Sequence, residues 1–392
     1  MSRIIDIAKE ISSGLTPLRS NLEYWTNGTI PWLKTEQIGE YRIKTTNEFV
    51  TQKALDKTGL KLYPQNTISI AMYGEGKTRG NVSILDCPMT TNQACCNIIP
   101  NEDIVEPFYL YYFFKTQYNN LRQLSSGVRK NLNSNDIKNY KINLPNKKIQ
   151  KNIANFLCNI DEKIELNNKI NLELENLAKT LYEYWFVQFD FPDEFGRPYK
   201  SSGGKMIYNE KLKREIPINW EVKQIGSILQ EQEKSSVQVN QANNTGKYPF
   251  FTSGNEILKY GDFFVDDMYC YLSTGGNACV KFYYGKASYS TDTWCISAGN
   301  YSFYLYNYLN SIKSQMDKLY FAGTGLKHLQ KDIFKNSYIV VPPVTYMEKY
   351  NNFVSSGYKM VSDNYLENQK LTKLRDWLLP MLMNGQISII TE

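Results

Sequence analysis

A chain of 392 residues with 42% hydrophobic and 14% aromatic residues has material for two or three cores, and its net charge of +6 is a mild basic surplus. The seven cysteines are odd in number and form no CxxC pair, and His328 is the only histidine, so neither a disulfide framework nor a zinc site is expected. That usage fits a reduced, cytoplasmic setting with the thiols as small buried hydrophobes. Apolar runs stay well short of the roughly 18 residues of a membrane helix, and no secretory leader is read at the start.

The opening RIIDIAKEISSGLTP is apolar-periodic and stops at Gly14 and Pro17. IPWLKTEQI (30–38) and NTISIAMYG (66–74) are strand-like; the second runs into the loop GEGKTRGN (74–81). NVSILDCPMTTNQACCNIIP (81–100) predicts a buried strand pair. A helix with a thick aromatic face should start at Pro107, where a missing N–H costs nothing. SGVRKNLNSNDIKNYKINLP (126–145) then supplies a glycine loop, a short helix capped near Ser134–Asp136, a strand, and the proline that opens a long helix.

That helix, from Pro145 to about Gln188, carries two series at seven-residue spacing. One runs Ile149, Phe156, Lys163, Ile170, Leu177, Tyr184; the other runs Ile153, Ile160, Asn167, Leu174, Leu181, Gln188. About 40 residues at about 1.5 Å each give a rod near 60 Å long with one apolar seam. After a connector rich in Gly, Pro and charge, the plan restarts at Trp220. YPFFTSGN (248–255) answers IPWLKTEQ, Thr291–Cys295 answers Thr91–Cys95, FYLYNYL (303–309) answers FYLYYFF (108–114), and AGTGLKHLQKDI answers SGVRKNLNSNDI. Pro342 then opens a second long helix in which Asn364 falls on Asn167. A diverged tandem duplication follows. The simplest arrangement pairs the two helices antiparallel with Asn167 facing Asn364 on a pseudo-two-fold axis, a polar pair that would fix register.

The expected fold is therefore mixed α/β: two similar globular domains at opposite ends of an antiparallel pair of long coiled-coil helices. The boundaries read as 1–145 for the first domain, 146–190 for the first helix, 191–218 for the connector, 219–342 for the second domain, 343–385 for the second helix and 386–392 for a tail. Two equal readers on a rod suit a linear target with a helical repeat, which points to double-stranded DNA. The polar loops that recur in both copies are the candidate contacts: Lys77 and Arg79; Thr91, Asn92 and Gln93; Arg129, Lys130 and Asn131; Thr291 and Asp292; Lys327 and His328. Any one of them alone is an ordinary solvated turn; their recurrence singles them out. FAGTG (321–325) and VPPV (341–344) imitate methyltransferase motifs, but the second lacks the Asn/Asp and the aromatic residue, and the spacing between them is too short. Neither a Ser/His/Asp set nor a phosphate loop stands out, so no catalytic residue and no metal ligand is expected. A self-contained methyltransferase or nuclease and a coiled-coil scaffold without a DNA role are the alternatives.

The segments SGLTP (13–17), IPWLKTEQI, LYEYWFVQFDFPDEFGRPYKSSGGKMIYNEKLKREIPINWEV (181–222), YPFFTSGN and RDWLLPMLMNGQI (375–387) carry a resemblance. Over nearly its full length the chain resembles the specificity subunit of type I restriction–modification systems. The resemblance implies two target-recognition domains that each read half of a split DNA site. It also implies helices that dock two modification subunits, with restriction (motor-nuclease) subunits joining the complex. Lys34, Thr35, Thr252 and Ser253 enter the candidate set because the matching family segment faces DNA. Cofactors are expected on the partners, S-adenosylmethionine for methylation and ATP with Mg for the nuclease, and none in this chain.

Overall fold

The computed structural model describes residues 1–74, 76–124, 131–243 and 245–389. In chain order the elements used below are β1 (Ala8–Ser13), β2 (Ile30–Leu33), β3 (Arg42–Ile43), β4 (Glu48–Val50), β5 (Ile68–Ala71), β6 (Val82–Leu85), β7 (Thr90–Thr91), β8 (Cys95–Pro100), α1 (Pro107–Thr116) and α2 (Lys147–Tyr182). They continue with β9 (Gln230–Glu231), β10 (Tyr248–Phe251), β11 (Ile257–Tyr260), β12 (Val265–Ser273), β13 (Val280–Tyr289), β14 (Thr293–Ser297), α3 (Ser302–Leu319), α4 (Lys331–Asn336) and α5 (Val344–Met383). The chain divides into two compact units, one made of Met1–Glu165 with residues from Asn368 onward, the other of Leu166–Glu367. Each unit takes part of both long helices.

In the first unit a five-stranded sheet runs β1-β8-β5-β6-β3, beside a three-stranded sheet β4-β2-β7. Strands β5 to β8 are buried almost throughout, which matches their continuous apolar runs. Helix α1 starts at Pro107 as its sequence predicts and buries Tyr109, Leu110, Tyr111, Tyr112 and Phe114. Into the same core α2 sends Ile153, Ala154 and Leu157, and α5 sends Leu379 and Leu382.

The second unit rebuilds this plan as one six-stranded sheet, β9-β14-β12-β13-β10-β11. The difference has a local cause. Residues 82–91 of the first unit are interrupted by Pro88, which cannot donate to a ladder, and split into β6 and β7. The equivalent stretch of the second unit has no proline and runs unbroken as the ten-residue β13, with Gly285 taking φ +142° in its middle.

In both units the helix segments run antiparallel. In the first, Arg375 of α5 reaches Asp161 of α2; in the second, Tyr350 of α5 donates its hydroxyl to the Ala178 carbonyl of α2 at 3.2 Å. The seam differs from the sequence expectation. The series on Ile153, Ile160 and Asn167 is buried, but Leu177 is 66% exposed, Phe353 68% and Met360 49%. Helix α2 packs on the globular core as well as on α5, so its buried stripe widens to Gln150, Ala154, Leu157 and Asp161 and turns the Ile149 series outward. Past Tyr182 the helix closes in a π turn over Glu183–Val187 that buries Trp185 and Phe186.

The side-chain amides of Asn167 and Asn364 bond to other residues of the helix pair. Within the second unit Asn167 Nδ2 donates to Glu367 Oε2 at 2.7 Å, and Asn364 Nδ2 donates to Asn171 Oδ1 at 2.8 Å. Each asparagine thus bonds to a residue about one turn along the opposite helix, while Leu174 lies against Gly357, one heptad further on. A carboxylate acceptor makes a stronger, charge-assisted bond than a second amide, which favours the observed choice for Asn167.

Candidate nucleic-acid interface

Each unit frames its candidate loops with the same backbone bonds. In the first, the Asn92 N–H donates to the Leu33 carbonyl at 2.9 Å and the Cys95 N–H to the Asn92 carbonyl at 3.2 Å. In the second, the Ser290 N–H donates to Phe251 at 2.9 Å and the Thr293 N–H to Ser290 at 3.1 Å. Leu132 bonds to Met72 at 3.2 Å as Leu329 bonds to Thr274 at 3.0 Å. The first two pairs set an offset of 198 residues (290 − 92 and 293 − 95), two fewer than the Thr91–Cys95/Thr291–Cys295 match. Pairing register is fixed by the parallel neighbour, β2 or β10, whereas the sequence match followed side-chain identity. Thr91 therefore stands where Tyr289 does, and Thr291 where Gln93 does.

The first unit gathers Lys34, Thr35, Thr91, Asn92 and Gln93 at the ends of β2 and β7. Thr91 is fully buried and its Oγ1 accepts from Asn97 Nδ2 at 2.7 Å, so it belongs to the frame and not to a DNA-facing surface. Asn92 spends its side-chain oxygen on the Ala94 N–H at 3.1 Å. Gln93 is exposed and accepts from the Thr16 hydroxyl. Lys34 lies between Glu48 at 2.7 Å and Glu36 at 3.0 Å, and those carboxylates, Glu48 foremost, hold its pKa above the ordinary value. Thr35 is half-buried at the start of a short 3₁₀ turn.

Exposed Lys77 and half-buried Arg79 sit on the loop between β5 and β6. Two residues that sequence reasoning missed brace it. Arg122 donates Nη1 to the Gly76 carbonyl at 2.9 Å and the Arg79 carbonyl at 3.1 Å, and the Tyr118 hydroxyl donates to Lys77 O at 2.9 Å. Nothing in their local pattern marks these roles, because the contacts span more than 40 residues. Asn131 is half-buried. Arg129 and Lys130 lie outside the described residues.

The second unit draws its candidates around residues 274–276. The Thr274 N–H and Oγ1 both donate to the Asp292 carbonyl, at 3.1 and 2.8 Å, and the Gly276 N–H donates to the Lys327 carbonyl at 2.9 Å. Gly275 bridges to His328. Thr291, Asp292, Lys327 and His328 are brought together in this way, and the last three are exposed. Thr252, 6% exposed, donates to the Glu256 carbonyl at 2.8 Å and is structural, while Ser253 is half-buried. Lys281 Nζ donates to the Thr252 carbonyl at 2.6 Å, and burial holds its pKa below the ordinary value.

Beside these residues lies a cleft of about 390 Å³ lined by Lys234, Thr274, Thr291, Asp292, Trp294 and Lys331. Lys331, which the sequence reading passed over, sits 4.9 Å over the Trp294 ring, and burial lowers its pKa against the opposing pull of Glu231. FAGTG falls on a hairpin in which Phe321–Ala322 pairs with His328–Leu329. It is not the strand-to-helix glycine loop of a methyltransferase. Among the described residues no group of three His, Cys, Asp or Glu side chains could hold a metal, and no helix is long and apolar enough to cross a membrane.

The family model described as type I restriction modification DNA specificity domain matches residues 1–176 and 217–349. The type I restriction enzyme MjaIX specificity subunit of Methanocaldococcus jannaschii is 29% identical over 99% of this chain and 93% of its own length. The HindI specificity subunit of Haemophilus influenzae is 22% identical over 74% of this chain and 79% of its own. The crystal structure of a type I restriction-modification S subunit from M. genitalium superposes with a TM-score of 0.65 at 17% identity, covering 100% of this chain and 96% of that one, which shows a shared fold. The chain therefore belongs to the type I restriction–modification DNA specificity family.

Proposed function

We propose that this chain is the non-catalytic DNA-recognition and assembly subunit of its complex. Each unit reads one half of a bipartite site, and the helix pair sets the spacer between the halves. The observation that carries this reading is the repeated frame: two loop clusters held by equivalent backbone bonds, each presenting polar and cationic residues beside a rigid sheet. Phosphate contacts from Lys77, Arg79 and Lys327 would position the units, and side chains at the loop rims would specify bases. Leu172, Leu177, Phe353 and Trp377, 58 to 68% exposed on the helices, support docking of modification subunits, which would carry S-adenosylmethionine and methylate an extruded adenine. Restriction subunits with ATP and Mg would join them, in a cytoplasmic complex. Methylation-sensitive sequencing of a host carrying this chain and its modification partner should reveal a split motif with methylated adenine. Removing one heptad from both helices should change the spacer or abolish the motif. A contiguous motif, or methyl transfer by the lone chain, would overturn the proposal.

A further inference from the structure

We infer that Asp292 is a specificity-determining residue that reads the exocyclic amino group of a cytosine in the half-site bound by the second unit. The inference rests on the proposed DNA-recognition function and names one base within it. Asp292 is exposed at the rim of the 390 Å³ cleft. Its own backbone is pinned, because its carbonyl accepts both the N–H and the hydroxyl of Thr274, and the neighbouring Thr291 N–H donates to Val237 at 3.0 Å. Among the described residues the carboxylate itself has no hydrogen bond or ion pair, whereas Glu231, on the same cleft, is already taken by Lys335 and by Trp294 Nε1. A carboxylate on a pinned backbone and without an internal partner is an acceptor open to an outside donor.

Duplex DNA offers two amino donors in the major groove, cytosine N4 and adenine N6. Adenine places its N7 lone pair beside N6, and a carboxylate that reaches N6 meets that lone pair; cytosine has no acceptor there. The guanine across a C·G pair presents O6 and N7, acceptors that suit a lysine. Lys327 stands in reach of the same loop through its carbonyl bond to Gly276, and Lys331 lines the cleft. These cations also offset the repulsion between Asp292 and the phosphates. In the first unit the residue at the equivalent place is Ala94, which offers no acceptor, so the two units would ask different questions at this position.

The test compares wild type, Asp292→Asn and Asp292→Ala, each assembled with the modification subunits, by motif sequencing and by competition among duplexes that vary one base pair at a time. Only the Asp292 main chain carries the loop's hydrogen bonds, so both variants should melt like wild type. The wild-type half-site should contain one C·G pair whose replacement weakens binding by roughly 5- to 150-fold. Asp292→Ala should erase that preference at one position, and Asp292→Asn, whose amide suits adenine, should move it toward A·T. An unchanged motif in both variants, or a uniform loss of affinity with the same base preference, overturns the assignment of Asp292. If wild type itself shows no split motif, the recognition reading fails first, and that outcome is distinct.

Discussion

Truncating Arg375 should destabilise the first unit more than any other single surface change on α5. Asp161 is buried, with 5% of its side chain exposed, and takes the Tyr112 hydroxyl at 2.6 Å and Arg375 Nη1 at 2.5 Å; Arg375 itself is 22% exposed. Burial alone would lower the guanidinium pKa, but the Asp161 carboxylate outweighs it and holds the pKa above the ordinary value. Removing one partner of a buried pair costs about 3–5 kcal/mol, since the other charge stays behind. The retained Tyr112 bond and the partial exposure of Arg375 reduce this to about 2–4 kcal/mol. At about 2–4 °C per kcal/mol for a unit of this size, Arg375→Met should lower its melting temperature by roughly 4–16 °C. Hydrogen exchange resolved on the peptide around Asp161 separates this unit from the other. The double variant Arg375→Met with Asp161→Leu should recover most of the loss, because it leaves no orphaned charge. A single variant that melts within about 1 °C of wild type, or a double variant worse than both singles, would refute the argument.

In the second unit Asn307→Leu should cost about 1–3 kcal/mol, because the Tyr358 hydroxyl loses its Nδ2 donor at 2.7 Å while Tyr350 loses the one at 3.0 Å and keeps its bond to the Ala178 carbonyl; calorimetry on the variant checks it. Lys77→Ala should flatten the dependence of log K on log salt by about 0.9 while leaving base preference unchanged, as titrations at several salt concentrations would show. Burial pushes the Cys95 and Cys96 thiols up to about 12, so both stay protonated in the fold while an unfolded thiol ionises near 9. Their contribution is fully present below pH 9 and is lost as pH rises from 9 towards 12, at about 1.4 kcal/mol per thiol per pH unit; alkaline melts should show that slope. Asn167→Leu with Asn364→Leu should keep the fold but alter the spacing of the methylated site, and an unaltered spacer would make the asparagines passengers.

Much of the architecture is legible in the sequence because it rests on local signals. Pro107 and Pro145 stand at helix starts, continuous apolar runs give buried strands, and two copies of one plan corroborate each other. What was not legible depends on contacts far apart in the chain. Gln150 is polar yet 2% exposed, because it caps α1 through the Glu106 N–H at 2.9 Å and accommodates the Pro145 and Ile104 carbonyls with its Nε2; a count of apolar positions passes over it and misplaces the seam. Thr91 and Thr252 look like surface hydroxyls in a polar loop, but both are buried at a strand end, where Thr91 accepts from the Asn97 side chain and Thr252 donates to the Glu256 carbonyl. Lys331 escaped notice because its partner Trp294 lies 37 residues away.

The motif that best announces the duplication also holds its main functional divergence. FYLYYFF and FYLYNYL are identical over their first four residues and diverge from Tyr112 and Asn307 onward, and these two side chains leave the globular helix to bind the long helices. Tyr112 donates to the Asp161 carboxylate, and through it engages Arg375 of α5. Asn307 donates to Tyr350 and Tyr358 of α5, and Tyr350 passes the connection to the Ala178 carbonyl of α2. One position thus pins each domain to its helix pair, once through an ion pair and once through a neutral network. The two solutions are not interchangeable, since a tyrosine at 307 would need the space that Tyr350 and Tyr358 fill, and an asparagine at 112 would fall short of Asp161. A domain exchanged between the two places would carry the wrong pin. Each unit therefore holds its globular part against its own helix segments with side chains that the other unit lacks, and the loops at the rim, Ala94 in one and Asp292 in the other, are left to diverge without disturbing that joint.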